Sequence, residues 1–174
     1  KYVRVPGDSV EKNQGALFIT FHWGQGFWAL KYLNRMGHKP AWLHAPLQKG
    51  LTWGSWISAL VGKGRIAQVG RLAGAAPIAV GNSVEKMRYR LVEQKCSVMA
   101  MPDAPIRPGA STIRVKLLGR DARLPAGVIR LAVSESIPVY VYTMVVNPED
   151  GMRDLCIRGP IDYQDEASLA QTLA

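Results

Sequence analysis

The chain has 174 residues, with 22 Lys and Arg against 13 Asp and Glu, a formal net charge of +9 and 48% hydrophobic residues. That apolar content excludes an intrinsically disordered chain, and the length suits one domain with a core of its own. No apolar run reaches the roughly 18 residues of a membrane-spanning helix, so none is expected.

The chain begins at Lys1 without Met, and no signal-peptide pattern follows. We expect residues upstream of it, and these could include a membrane anchor. Residues 16–21 are a continuous apolar run with β-branched and aromatic side chains, the pattern of a buried strand. A turn from His22 to Gly26 follows at once and contains Gly24. Phe27, Trp28, Leu30, Lys31 and Leu33 then have helical spacing up to Gly37. Residues 39–44 predict a short second strand. Residues 51–61 are apolar and carry Trp53 and Trp56. They read either as a core helix or as a surface that contacts a membrane or lines an acyl chain.

Residues 72–80 are small and apolar around Pro77. Ser83 predicts an N-cap for a helix with Val84, Met87, Leu91 and Val92 on one face. Residues 96–101 predict a buried strand that ends in Pro102-Asp103, and residues 112–118 alternate as a further strand. Pro125 fits the first turn of a helix carrying Val128, Leu131, Ala132 and Val133. Residues 137–146 and 154–158 predict the last strands. No repeat, low-complexity segment or linker divides the chain, so residues 1–174 are expected to form a single domain.

Strands alternating with helices predict an α/β fold with a mixed, largely parallel sheet flanked by helices. Sites in such sheets form at the carboxyl ends of strands. Two polar residues fall there, His22 and Asp103. An imidazole is suited to take a proton near neutral pH, and a glycine turn lets a substrate approach the backbone closely. The alternative is a histidine that satisfies a hydrogen bond at a strand end. Asp103 could orient an imidazole, or it could be a turn residue flanked by Pro102 and Pro105. Arg107 and Arg114 could bind a phosphate or carboxylate, or could be ordinary surface arginines.

Basic residues gather locally at Lys86, Arg88 and Arg90, and again at Arg114, Lys116, Arg120 and Arg123. They read as solvated faces, or as surfaces for an anionic membrane, an acidic carrier protein or nucleic acid. No nucleic-acid module signature accompanies them, so no nucleic-acid partner is expected. Cys96 and Cys156 make no disulfide framework and read as buried free thiols in a reducing compartment. No zinc spacing, nucleophile elbow or phosphate loop is present, and no metal or cofactor is expected.

Residues 15–25, an apolar strand leading into His22 and Gly24, resemble the first block of the lysophospholipid acyltransferase superfamily. They are most similar to its bacterial lipid A biosynthesis (lauroyl/myristoyl) branch. Residues 83–103 resemble a second block, a helix and then a strand ending in Pro-Asp. A third runs from Ile113 through Gly119 and Pro125 to Leu131-Ala132 and Ile137-Pro138-Val139. The likeness covers residues 15–161. The family's histidine is followed five positions on by an acid, where this chain has Phe27. Gln25 stands where Asn is common. The resemblance implies transfer of a fatty acyl group from an acyl carrier protein or coenzyme A thioester to a hydroxyl of a lipid or glycolipid. It further implies His22 as general base, with Asp103 as the replacement for the missing acid. Gly24, Gln25, Arg107 and Arg114 would contact substrate. The implied location is the cytoplasmic face of the bacterial inner membrane, held peripherally. Phe27 leaves open a non-catalytic lipid- or carrier-binding member of the same fold.

Overall fold

The computed structural model describes residues 3–5, 10–12, 14–22, 26–46, 53–81, 83–106 and 108–174, and only the backbone of residues 53–56. In chain order the elements are β1 (Val3–Arg4), β2 (Leu17–Ile19), α1 (Gly26–Arg35), β3 (Ala41–His44), α2 (Trp53–Ala73), β4 (Ile78–Ala79) and α3 (Val84–Arg88). A π-helical turn, Tyr89–Glu93, continues α3. Then come β5 (Val98–Ala100), β6 (Thr112–Leu117), β7 (Arg120–Pro125), α4 (Ala126–Ser134), β8 (Val139–Val146), β9 (Arg153–Arg158) and α5 (Glu166–Thr172).

Seven strands form one sheet in the order β1-β9-β8-β2-β5-β3-β4. Every neighbouring pair is parallel except β8 with β9. The fold is thus α/β with a mostly parallel mixed sheet, as the alternation of strands and helices predicts. The short central strands are apolar on both faces because helices cover both. Leu17 and Ile19 of β2 join Val98, Ala100 and Val139 in a core completed by α3, α4 and α5 through Met87, Ile129, Ala132 and Leu169. Phe18 points the other way, with Met99, Tyr140 and Tyr142, into a core closed by Ala29, Leu30 and Leu33 of α1 and Val69 and Ala73 of α2.

Three local expectations change. Ser83 sits at the start of α3, but its side chain makes no capping bond; its carbonyl accepts from the Met87 amide at 2.9 Å. Of the apolar stretch 51–61, the described side chains Ile57, Leu60 and Val61 of α2 are exposed rather than in the core, while residues 51–52 and the side chains of 53–56 lie outside the described residues. Cys96 and Cys156 are free but only partly buried. The sequence pattern also omits β7, which closes a separate hairpin with β6, and α5, which packs against that hairpin.

Candidate active site

β2 and β5 are adjacent and parallel, with Ile19 opposite Ala100. The Thr20 amide extends the ladder by donating to the Ala100 carbonyl at 3.2 Å. His22 lies three positions beyond Ile19, and Asp103 three positions beyond Ala100. Equal offsets from paired residues bring the two to the same height above the carboxyl edge of the sheet. Asp103 then grips His22 twice. Its Oδ2 accepts the His22 backbone N–H at 2.7 Å, and its Oδ1 lies 2.9 Å from Nδ1 of the ring. An ionised carboxylate can only accept, so Nδ1 carries the proton and a neutral ring keeps its lone pair on Nε2. The His22 side chain is 52% exposed, so the ring remains open to a ligand.

A cleft of about 210 Å³ opens beside the ring, lined by Phe21, His22, Gly26, Phe27, Arg65, Met99 and Met101. Its wall is mainly apolar, with two nitrogen-bearing side chains. Gly26 begins α1, and the first amides of a helix have no intrahelical acceptor. The Gly26 carbonyl accepts a hydrogen bond from the Tyr142 hydroxyl at 3.3 Å, and burial pushes that hydroxyl well above the usual phenol range. Thr20 is buried beside Gly26, and its hydroxyl has no partner among the described residues.

Of the residues singled out in the sequence, His22 and Asp103 come together. Gly24, Gln25 and Arg107 lie outside the described residues. Arg114 is exposed on β6, opposite Arg123, and does not line the cleft. Phe27 stands in the cleft wall and meets Trp42 edge-on, ring centroids 5.0 Å apart. Arg65 is the residue that sequence reasoning missed. It lies inside α2 with no motif around it, and only the packing of α2 over α1 and β3 carries it to the cleft. Among the described residues no cluster of His, Cys, Asp and Glu could hold a metal ion, and no helix is long and apolar enough to cross a membrane. In comparison with known proteins, the chain matches no family model and no curated sequence.

Proposed function

We propose that the protein is an O-acyltransferase that moves a fatty acyl group from an acyl carrier protein or coenzyme A thioester to a hydroxyl of a lipid or glycolipid. The observation that carries this reading is the Asp103 carboxylate 2.9 Å from His22 Nδ1. It supplies the orienting acid that the resemblance leaves missing at Phe27, and it directs the basic Nε2 lone pair away from itself. Nε2 takes the proton of the acceptor hydroxyl as that oxygen attacks the thioester carbonyl. The tetrahedral oxyanion collapses, the C–S bond breaks, and the imidazolium returns the proton to the departing thiolate. Groups suited to stabilise the oxyanion are the first amides of α1 and the Arg65 guanidinium. The apolar cleft wall of Phe21, Phe27, Met99 and Met101 suits the chain next to the carbonyl.

Seating on the cytoplasmic face of a bacterial inner membrane belongs to the same reading. The first half of α2 exposes Ile57, Leu60 and Val61, and α2 carries Lys63, Arg65 and Arg71 with no acid. Exposed apolar residues with cations behind them suit an anionic interface. The test is consumption of an acyl thioester with a panel of hydroxyl-bearing lipid acceptors. His22→Ala should lower the rate by at least about 10²-fold, the low end for general acid–base catalysis. A His22→Ala variant that folds normally and keeps full turnover refutes the assignment.

A further inference from the structure

We propose that the β6–β7 hairpin is a second membrane-seating element, whose Leu118 tip enters an anionic bilayer while the arginines behind it engage lipid headgroup phosphates. Among the described residues the two strands pair only with each other, Thr112 opposite Pro125 through Leu117 opposite Arg120. Alternation divides the hairpin into two faces. Ile113, Val115, Ala122 and Leu124 pack inward on the core. Arg114, Lys116, Asp121 and Arg123 face outward and are exposed.

Lys116 pairs with Asp121 at 2.7 Å. Arg114 and Arg123 stand directly opposite one another in the ladder. Like charges in that position destabilise a sheet. Among the described residues no carboxylate pairs with either of them, or with Arg120. The outward face therefore has an unmet need for anions.

The tip supplies a second, independent observation. Leu118 and Gly119 form a two-residue loop with φ of 50° and 77°. Such a loop favours Asn-Gly, because its first position is left-handed and penalises a side chain like leucine. Leu118 is also 94% exposed, with Leu117 partly exposed beside it. A leucine that neither suits its backbone nor buries itself gains nothing within the folded chain. It gains on entering an apolar medium. Arg120 stands opposite Leu117, one residue behind Leu118, and Arg114 and Arg123 stand three residues, about 10 Å, further along the strands, where long arginine side chains reach toward a headgroup layer. A projecting apolar tip with cations behind it suits a bilayer better than a flat protein face.

This inference rests on the membrane part of the proposed function and adds a surface separate from α2 and from the His22 cleft. The experiment is flotation with vesicles of phosphatidylcholine alone and of phosphatidylcholine with phosphatidylglycerol. The variants are Leu118→Asn, the double variant Arg114→Gln with Arg123→Gln, and Val61→Gln on α2. Asparagine suits the turn, so Leu118→Asn should melt at or above the wild-type temperature, which separates lost binding from lost folding. It should weaken partitioning onto anionic vesicles about tenfold. The double arginine variant should lose about fivefold per charge on anionic vesicles and nothing on neutral ones. Wild-type partitioning by both hairpin variants, with loss in Val61→Gln, overturns the hairpin inference and leaves the membrane reading standing. A wild-type protein that binds neither vesicle overturns both. A wild-type protein that ignores vesicles but binds a soluble acidic carrier protein through Arg114 and Arg123 overturns the lipid assignment of this surface.

Discussion

Asp103 accepts from two N–H groups of a single residue, the backbone amide and Nδ1 of His22. An asparagine offers one acceptor oxygen and would place its NH2 group against the other donor. In Asp103→Asn the ring relieves that clash by switching tautomer. Nδ1 then accepts from the amide and the proton moves to Nε2, which leaves no lone pair for the acceptor hydroxyl. We expect Asp103→Asn to fold, to turn over more slowly than wild type and to exceed His22→Ala; wild-type turnover would show the carboxylate to be idle. A second histidine behaves differently. His38 is buried, its Nε2 has no partner among the described residues, and its ring stands edge-on to Phe18 with centroids 5.6 Å apart. Burial lowers its pKa, and the nearby Lys12 charge lowers it further. As pH falls below about 6.5, the unfolded chain binds a proton that the folded ring refuses. Stability therefore falls with pH through that window, and the full penalty remains below the folded pKa. His38→Phe keeps the edge contact and removes the proton site. Its melting temperature should decline less than wild type between about pH 7 and pH 5.

The close approach of β2 to the π-helical turn has a single-atom test. A Cβ on Gly15 would collide with the Leu91 carbonyl, so Gly15→Ala must push the strand entry away from Tyr89–Glu93. We expect a loss of about 1–3 kcal/mol in urea denaturation, the range for overpacking. At the other end of the chain α5 opens with a capping box. Asp165 accepts the Ser168 amide at 2.7 Å, and the Ser168 hydroxyl accepts the Asp165 amide at 3.0 Å. Hydrogen bonding to the carboxylate, first from the Ser168 amide and then from the Ser168 side chain, holds the Asp165 carboxyl below the usual range. Asp165→Ala should lower the midpoint of urea denaturation near neutral pH, and by less as acid protonates the wild-type carboxylate. The elements differ in how openly the sequence declares them. β2, β5 and β8 are legible because a strand buried on both faces must be apolar throughout, as Leu17–Ile19 and the start of Val139–Val146 are. β7 is not, since only Ala122 and Leu124 of Arg120–Pro125 carry an inward pattern among charges. The α5 helix, seven residues long, is too short for periodicity, and its signal is the Asp165–Ser168 spacing alone.

Across the whole molecule, what makes the site is strand order, and strand order is where sequence reading stops. The positions of His22 and Asp103 at strand ends are legible from apolar runs that stop. Their contact depends on β2 lying next to β5 in a register that pairs Ile19 with Ala100, although α1, β3, α2, β4 and α3 intervene in the chain. Arg65 reaches the same cleft only through the packing of α2. That helix also links the cleft to the exterior. Ile57, Val61 and Arg65 are spaced four apart and so share one stripe of α2, which runs from exposed apolar residues to the cleft wall. A membrane-embedded acceptor would meet the stripe before it meets His22. Leu60→Gln with Val61→Gln removes apolar surface from positions 61% and 64% exposed, where little packing is lost. The melting temperature should therefore change little. Acyl transfer to an acceptor held in anionic vesicles should fall several-fold, and raised salt should lower wild-type activity in the same assay by screening the cations of α2. Transfer to the same acceptor dispersed in detergent should stay near wild type, because neither residue lines the cleft. Equal losses in vesicles and detergent would place the two side chains in substrate binding rather than in seating the protein on the bilayer.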